Sequence, residues 1–290
     1  MLEALQTYPC FLWTAVVLFT LMLGSFLNVV IVRLPKMLEQ QFKEECQSFL
    51  ETNAGVETSH TFNLAFPSSH CVYCRTPIRF YDNIPVFSYL FLRGKCRHCH
   101  KSISPRYLVV EGLTALMGIW CALHFGISTA ALIAFSLAMI LLVLTFIDFE
   151  HMLLPDNIVY LGLWGGLLGS ALYPHLFIAP KAAITGAVIG YLALWSVFWV
   201  FKLLTGKEGL GQGDFKLLAF LGAWCGAAHL PAIIFIASTL GAIVGISLIL
   251  MNRINREQPI PFGPYLAFAG WITYLYGSDI QQWYWQIVWM

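Results

Sequence analysis

The stretch FLWTAVVLFTLMLGSFLNVVIV at residues 11–32 contains 22 residues and no charged side chain. A helix needs about 20 apolar residues to cross the hydrocarbon core of a bilayer. Glu3 precedes the stretch, whereas Arg33 and Lys36 follow it. A cleavable signal peptide would have its basic residues first and a shorter apolar core. We therefore expect a retained transmembrane helix whose N-terminus lies outside the cytoplasm.

The composition extends this expectation to the whole chain. Of the 290 residues, 59% are hydrophobic and only 11% are charged, and the mean hydropathy is +0.73. In soluble domains about a quarter of the residues are charged. The sequence therefore predicts an all-α polytopic membrane protein, embedded in a lipid bilayer. The net charge of +1 gives no indication of a nucleic-acid partner.

The positions of the basic residues predict the topology. The polar stretch 33–106 contains ten of the 16 lysine and arginine residues, and the positive-inside rule places such a segment in the cytoplasm. Seven further spans are predicted at about 107–125, 128–148, 156–174, 182–204, 214–228, 230–251 and 263–286. About eight spans in all return the C-terminus to the outside. Of all the basic residues, this topology leaves only Lys181 outside.

Three parts follow from this topology. Residues 1–32 hold the first transmembrane helix, residues 33–106 form a cytoplasmic loop domain, and residues 107–290 form a seven-helix membrane domain. Within the loop domain, apolar residues recur at helical spacing, which predicts an amphipathic helix over Met37–Glu51 that ends at Thr52–Gly55. The insertion 36–66 carries no motif that we can assign.

Two CxxC pairs, Cys71 with Cys74 and Cys96 with Cys99, lie 21 residues apart in the loop domain. Four thiolates suit a tetrahedral zinc ion, and four cysteines leave no open position for a catalytic water. A disulfide is disfavoured in a reducing cytoplasm. The pattern predicts a structural zinc site, for which His70, His98 and His100 are possible substitute ligands.

Two aspartates mark helix ends on the cytoplasmic face. Asp148 ends a span in TFIDFEHMLLPD, and Asp214 begins one in the glycine-rich segment GLGQGDFK. Two carboxylates within hydrogen-bond reach cannot both ionise cheaply, so one keeps a proton and the pair can activate water and protonate a leaving amine. The alternative is that each aspartate only marks a helix end near water, where a charge costs little.

Other ionisable residues offer rival or supporting roles. Glu150 and His151 are acid or base candidates beside Asp148, and Asp156 is placed to cap the helix that follows it. Glu111 is expected to pair with a lysine or arginine of the loop, because a buried unpaired carboxylate is costly. Lys216 is expected to extend towards the cytoplasm, or to hold one aspartate ionised.

Segments along the whole chain resemble the type IV prepilin peptidases, which are leader peptidases and N-methyltransferases of bacterial pilus and type II secretion systems. The matching segments are GSFLNVVIVRLP at 24–35, the CxxC pairs around NIPVFSYLFLRGKC, SPRYLVVEGLTAL at 104–116, FIDFEHMLLPD at 146–156, GLGQGDFKLLAFLGAW at 209–224 and PFGPYLAFAG at 261–270.

The resemblance implies an activity and assigns residues to it. The family's aspartyl protease pair corresponds to Asp148, seven residues before Pro155, and to Asp214 of the G-x-G-D motif. Similar proteins lie in the bacterial inner membrane with both termini periplasmic. There they cleave the basic leader from prepilins and pseudopilins on the cytoplasmic side, then methylate the new amino terminus with S-adenosyl-L-methionine. Gly94 matches a loop position implicated in methyl transfer, whereas Glu150 stands where members often carry aspartate.

Two alternatives stay open. A preflagellin-like or presenilin-like protease would use a similar aspartate pair without methyltransferase activity, but it would not need the four-cysteine loop. A proton-coupled transporter should show repeat symmetry and ionisable residues near the bilayer midplane, and we find neither in the sequence. No glycine-rich nucleotide fingerprint follows a strand, so the zinc-supported loop is the methyl-transfer site by elimination.

Overall fold

The computed structural model describes residues 9–49, 63–66, 68–79, 82, 85–207, 209–253 and 259–288. Within these ranges the regular secondary structure is helical, and β-pairing is confined to isolated bridges such as His70 with Pro77. The prediction of an all-α protein is therefore confirmed.

The α-helices in the described ranges are numbered here in chain order. They are α1 (Pro9–Phe49), α2 (Phe87–Phe91), α3 (Arg106–Phe125), α4 (Thr129–His151), α5 (Asp156–Leu172), α6 (Pro180–Thr205), α7 (Gln212–Cys225), α8 (Leu230–Leu250) and α9 (Gly263–Val288). A short 3₁₀ turn, Ala227–His229, precedes α8. The seven spans predicted after the loop agree with α3–α9 to within three residues at each end.

Helix α1 is longer than the sequence predicted. It runs for 41 residues through Pro35, so the predicted span and the predicted amphipathic helix are one continuous helix, and the separation between them was wrong. Proline removes one backbone hydrogen bond, but its neighbours Leu34, Lys36 and Met37 favour a helix. The predicted stop at Thr52–Gly55 lies outside the described residues.

Five helical segments in the described ranges are long and apolar enough to cross a membrane: Cys10–Gln47, Arg106–Phe125, Thr129–His151, Pro180–Thr205 and Ala227–Leu250. A multi-pass membrane protein is thereby confirmed. Helix α7 has only 14 residues, which is about 21 Å of helix against a hydrocarbon core of about 30 Å. The count of eight spans stays a prediction.

The chain divides into two compact units, Met1–Met139 and Ile140–Met290, with the boundary inside α4. In the first unit, α1 packs on α3 through small residues. A Cβ on Gly24 would lie 2.9 Å from the Cα of Glu111, and the Asn28 amide donates a hydrogen bond to the Tyr107 carbonyl oxygen over 3.1 Å.

In the second unit, α7 is the most enclosed helix, with every residue from Leu217 to Cys225 buried. It crosses α6 at glycines, as helices that pack closely in lipid commonly do. A Cβ on Gly186 would overlap the backbone of Gly222, and one on Gly190 would lie 2.6 Å from the Leu218 carbonyl oxygen. This backbone contact holds the helix that begins with the GxGD motif.

Candidate active site

Asp148 lies in the last turn of α4 and is only 6% exposed. The backbone N–H of Gly263, the first residue of α9, donates a hydrogen bond to Asp148 Oδ2 over 3.0 Å. A Cβ on Gly263 would lie 2.6 Å from that same oxygen. Residue 263 therefore has to be glycine if the backbone is to approach the carboxylate this closely.

Asp214 lies in the first turn of α7 and is likewise 6% exposed. The glycine-rich turn passes against its carboxylate, and a Cβ on Gly211 would lie 3.3 Å from Asp214 Oδ2. The backbone of Gly211 also hydrogen bonds to this carboxylate. The partial positive charge at a helix N-terminus adds a favourable field for an anion.

The structure brings these two predicted aspartates together. The charge of Asp148 acts on the Asp214 carboxyl, and the side chain of Leu154 lies beside both of their neighbouring glycines. It is 2.8 Å from the Cβ position of Gly213 and 3.2 Å from that of Gly263. Two buried carboxylates that repel each other cannot both ionise cheaply. Such a pair can supply a general base and a general acid in one step.

The rival residues near Asp148 lie elsewhere. Glu150 and His151 are both exposed at the end of α4, outside the buried pair. Asp156 is the first residue of α5, whose N-cap is Pro155, so its predicted capping role was wrong. Its carboxylate instead binds Lys216, whose Nζ lies 2.7 Å from both oxygens. Lys216 therefore has a carboxylate partner that the sequence did not indicate, and its extension towards the cytoplasm stays a prediction.

The Glu111 carboxylate has other hydrogen-bond partners than the lysine or arginine that was predicted. It is 7% exposed on α3, and its Oε2 accepts a hydrogen bond from the Val86 N–H over 2.8 Å. The Ser25 hydroxyl is a further partner. A buried carboxylate needs donors, and the amide of Val86, whose φ is 60°, meets that need where a lysine or arginine was expected.

The four cysteines of the first unit form one cluster. The Sγ atoms of Cys71, Cys74, Cys96 and Cys99 all lie within 4.8 Å of one another, and those of Cys71 and Cys99 are 3.8 Å apart. Zinc–sulfur bonds of ~2.3 Å in a tetrahedron place the sulfurs ~3.8 Å apart. The donor set and its spacing therefore fit a structural zinc ion.

The two CxxC turns have the same backbone design. Cys71 N–H donates to Thr76 O and Cys96 N–H to Lys101 O, over 3.0 and 2.9 Å. The residue after the second cysteine has a positive φ in both turns, 55° at Arg75 and 54° at His100. Hydrogen bonds from Thr76 lower the pKa of the Cys74 thiol to about 6, which favours the thiolate, whereas burial and hydrogen bonds with the other three thiols raise the pKa of Cys99 to about 11. The three histidines stand outside this cluster.

Gly94 lies in the loop between α2 and the second CxxC turn. Its φ is 67°, a conformation that favours glycine, and a Cβ there would lie 2.9 Å from the Tyr89 hydroxyl. Its N–H donates to Tyr89 O over 2.8 Å, and its carbonyl accepts from Ile103 N–H over 2.7 Å. Gly94 thus fixes the path of the chain into the cysteine cluster.

Sequence reasoning did not single out Gly263 or Leu154. Both lie within segments that resemble the family, PFGPYLAFAG and FIDFEHMLLPD, but neither carries a reactive group. The only available signal was the position of a glycine between Phe262 and Pro264, just before a helix. Its closeness to Asp148, 115 residues away in the sequence, needs the folded structure.

These features define a class of protein, a multi-pass helical membrane protein with a buried aspartate pair and a four-cysteine cluster whose spacing fits a metal ion. Residues 18–125 match the bacterial peptidase A24 N-terminal domain, and residues 135–246 match the type IV leader peptidase family. The chain belongs to the type IV leader peptidase family, which confirms the resemblance found in the sequence.

Similar curated proteins cover almost the whole chain. A protein of Aeromonas hydrophila is 48% identical over 284 residues, covering 98% of this chain and 97% of its own. One from Pseudomonas aeruginosa is 46% identical and covers 99% and 98%, and one from Dichelobacter nodosus is 47% identical and covers 91% and 92%. Each is named prepilin leader peptidase/N-methyltransferase. No solved structure matches the chain.

Proposed function

We propose that this protein cleaves the basic leader from type IV prepilins and related pseudopilins and then methylates the new amino terminus. The observation that carries the proposal is the similarity to prepilin leader peptidase/N-methyltransferases at 46–48% identity over nearly the full length of the chain. The protein is thus a hydrolase and a transferase in one membrane-embedded chain.

Asp148 and Asp214 are the proposed catalytic residues of the peptidase. Both carboxylates are buried, they interact, and they lie at helix ends rather than in mid-helix. The substrate's apolar helix would stay in the bilayer, so that its scissile bond lies at the interface beside the pair. One carboxylate takes a proton from water as the water oxygen bonds to the scissile carbonyl carbon. The other gives a proton to the leaving nitrogen as the C–N bond breaks.

The cysteine loop supports methyl transfer as the second activity. A preflagellin-like or presenilin-like protease would need no such loop, whereas this chain has a four-cysteine cluster at residues 71–99, inside the matched N-terminal domain. Zinc at Cys71, Cys74, Cys96 and Cys99 would cross-link the two CxxC turns. We place the site for S-adenosyl-L-methionine, which supplies the methyl group, in this loop near Gly94. A transporter would require neither the four-cysteine loop nor a site for a methyl donor.

The topology proposed for this activity follows the basic residues. Residues 1–32 form a first membrane helix, 33–106 a cytoplasmic loop domain and 107–290 a seven-helix membrane domain carrying the peptidase pair. The protein lies in the bacterial inner membrane with both termini periplasmic. The aspartates then face the cytoplasm, where the positively charged leader of a prepilin is retained.

Mass spectrometry tests the proposal directly. The purified full-length protein is incubated with a prepilin, with and without S-adenosyl-L-methionine. We expect loss of the leader mass in both reactions and the gain of one methyl group only when the donor is present. Cleavage without methylation would favour the preflagellin-like alternative. An intact prepilin in both reactions would refute the proposed function.

Replacing Cys99 with serine is expected to remove most of the zinc from the purified protein. A structural zinc ion contributes about 10–16 kcal/mol of binding free energy, so loss of one ligand in four weakens binding by about 10²–10³-fold. Zinc per chain is measured by mass spectrometry of the metal after dialysis against a chelator. Cys46→Ser, which changes an exposed cysteine on α1, should leave the content at about one ion per chain. Equal zinc in both variants would exclude the site.

A further inference from the structure

An ion pair joins the starts of two helices in the second unit. Lys216, two residues after Asp214 on α7, places its Nζ 2.7 Å from both carboxylate oxygens of Asp156, the first residue of α5. The same Nζ lies 5.6 Å from the ring centre of Tyr160, where a cation is attracted to the aromatic face. Three groups on two helices thus hold one another in place.

This ion pair lies close in the chain to both members of the aspartate pair. Asp148 and Asp156 are separated by a short connection that includes Met152 with a φ of 51° and Pro155 with its restricted φ. On the other side, Asp214 and Lys216 belong to the same turn of α7. The ion pair therefore links the segment 148–156 to the first turn of α7, and each of these two segments carries one of the carboxylates.

Leu154, in the segment 148–156, lies next to the surroundings of both carboxylates. Its side chain packs against Gly213, which precedes Asp214, and against Gly263, whose N–H donates to Asp148. A shift of the connection 152–155 relative to α7 would move Leu154 against one of these glycines. The positions of the two carboxylates are thus coupled through Leu154. The ion pair between Lys216 and Asp156 joins α7 to α5 next to this contact.

We propose that Asp156 and Lys216 are positioning residues that set the relative placement of Asp148 and Asp214. The inference rests on the proposed peptidase function. This role requires no contact of either residue with the substrate or the reacting water. Lys216 acts through the first turn of α7 and Asp156 acts through the connection to α4.

The ion pair contributes little to overall stability. The side chains of Lys216 and Asp156 are 25% and 49% exposed, and exposed ion pairs contribute only about 0–1 kcal/mol. The body of α7 is held independently by its buried residues Leu217–Cys225. Breaking the pair should therefore leave the fold intact but let the first turn of α7 move. A displacement of a catalytic carboxylate by about 1 Å can lower the rate of the chemical step by about 10²-fold.

The experiment compares cleavage kinetics of the full-length protein with a prepilin substrate. We expect Lys216→Met and Asp156→Asn each to lower kcat by about 10- to 100-fold with little change in KM. The double variant should be no slower than the worse single variant, because both changes break one interaction. Lys216→Arg should restore most of kcat, since a guanidinium can bind a carboxylate through two hydrogen bonds. Lys43→Met, which breaks the exposed ion pair with Glu39 on α1, is the matched control.

Each contrary outcome has a distinct meaning. Wild-type kcat in Lys216→Met, losses that multiply in the double variant, or an effect on KM alone would overturn the positioning role. A fall in the melting temperature of Lys216→Met that Lys216→Arg shares would show an effect on folding and would also overturn it. If the wild-type protein cleaves no prepilin, the proposed function itself fails, and the inference fails with it.

Discussion

Replacement of Asp214 by asparagine is expected to lower the rate of prepilin cleavage by about 10²–10⁴-fold, the usual contribution of a general acid or base. Asparagine has almost the same shape as aspartate, and it can still accept the backbone hydrogen bond from Gly211. It cannot exchange a proton with water or with the leaving nitrogen. The chemical step should therefore fail while the fold of α7, which is buried from Leu217 to Cys225, remains.

The same result is expected for Asp148→Asn, and the double variant should be little slower than either single variant, because two residues that act as a unit give non-additive losses. Cleavage is measured by gel shift and mass spectrometry over a time course. Asp279→Asn, an equivalent change at an exposed position on α9, should cleave at the wild-type rate. Both active-site variants should still methylate a pilin whose leader has already been removed. Substantial cleavage by either variant would contradict the assignment of Asp148 and Asp214 as the catalytic pair.

The bounds of the membrane helices could be predicted closely because they depend on the local sequence. Long apolar runs bounded by Gly, Pro and charged residues leave few alternatives for a chain in lipid, where the backbone must satisfy its own hydrogen bonds. The predicted ranges for α3–α9 are accordingly close to those observed. The cysteine cluster was predictable for the same reason, since two CxxC turns already place two ligands each.

The continuity of α1 through Pro35 was not predictable in the same way. A proline is a common helix end, but here the residues on both sides are good helix formers and the helix continues to Phe49. Local pattern could not decide between an interruption and a tolerated proline. The cost of about 3 kcal/mol or more for an interior proline has to be offset by packing that the sequence does not display.

Several contacts between distant segments were not predicted. The sequence indicated that Lys216 and Asp156 are charged residues near helix ends, but not that their side chains meet 60 residues apart. The sequence likewise predicted a basic partner for Glu111, whereas the backbone N–H of Val86 donates a hydrogen bond to its carboxylate. Backbone donors have no signature in the sequence, so partners of this kind, including Gly263 at Asp148, become visible only when the chain is folded.

Replacing Gly222 with valine is expected to destabilise the protein by at least about 3 kcal/mol, the upper end of the usual cost of overpacking. A Cβ on Gly222 would overlap the backbone of Gly186 on α6. Overlap with a backbone atom is costly because the obstacle cannot rotate away as a side chain can. The two helices must separate, and α7 carries Asp214 in its first turn, so cleavage should be lost together with stability.

The matched control is Gly165→Ala on α5. Gly165 is exposed, and a Cβ there would meet only the ring of Trp224 at 3.8 Å, which is an ordinary van der Waals distance. Thermal unfolding in detergent should show a large fall in midpoint for Gly222→Val and almost none for Gly165→Ala. If Gly222→Val melted and cleaved like the wild type, α6 and α7 could not be in backbone contact. The placement of Asp214 would then have to depend on α5 and on the ion pair between Asp156 and Lys216, rather than on the glycine crossing.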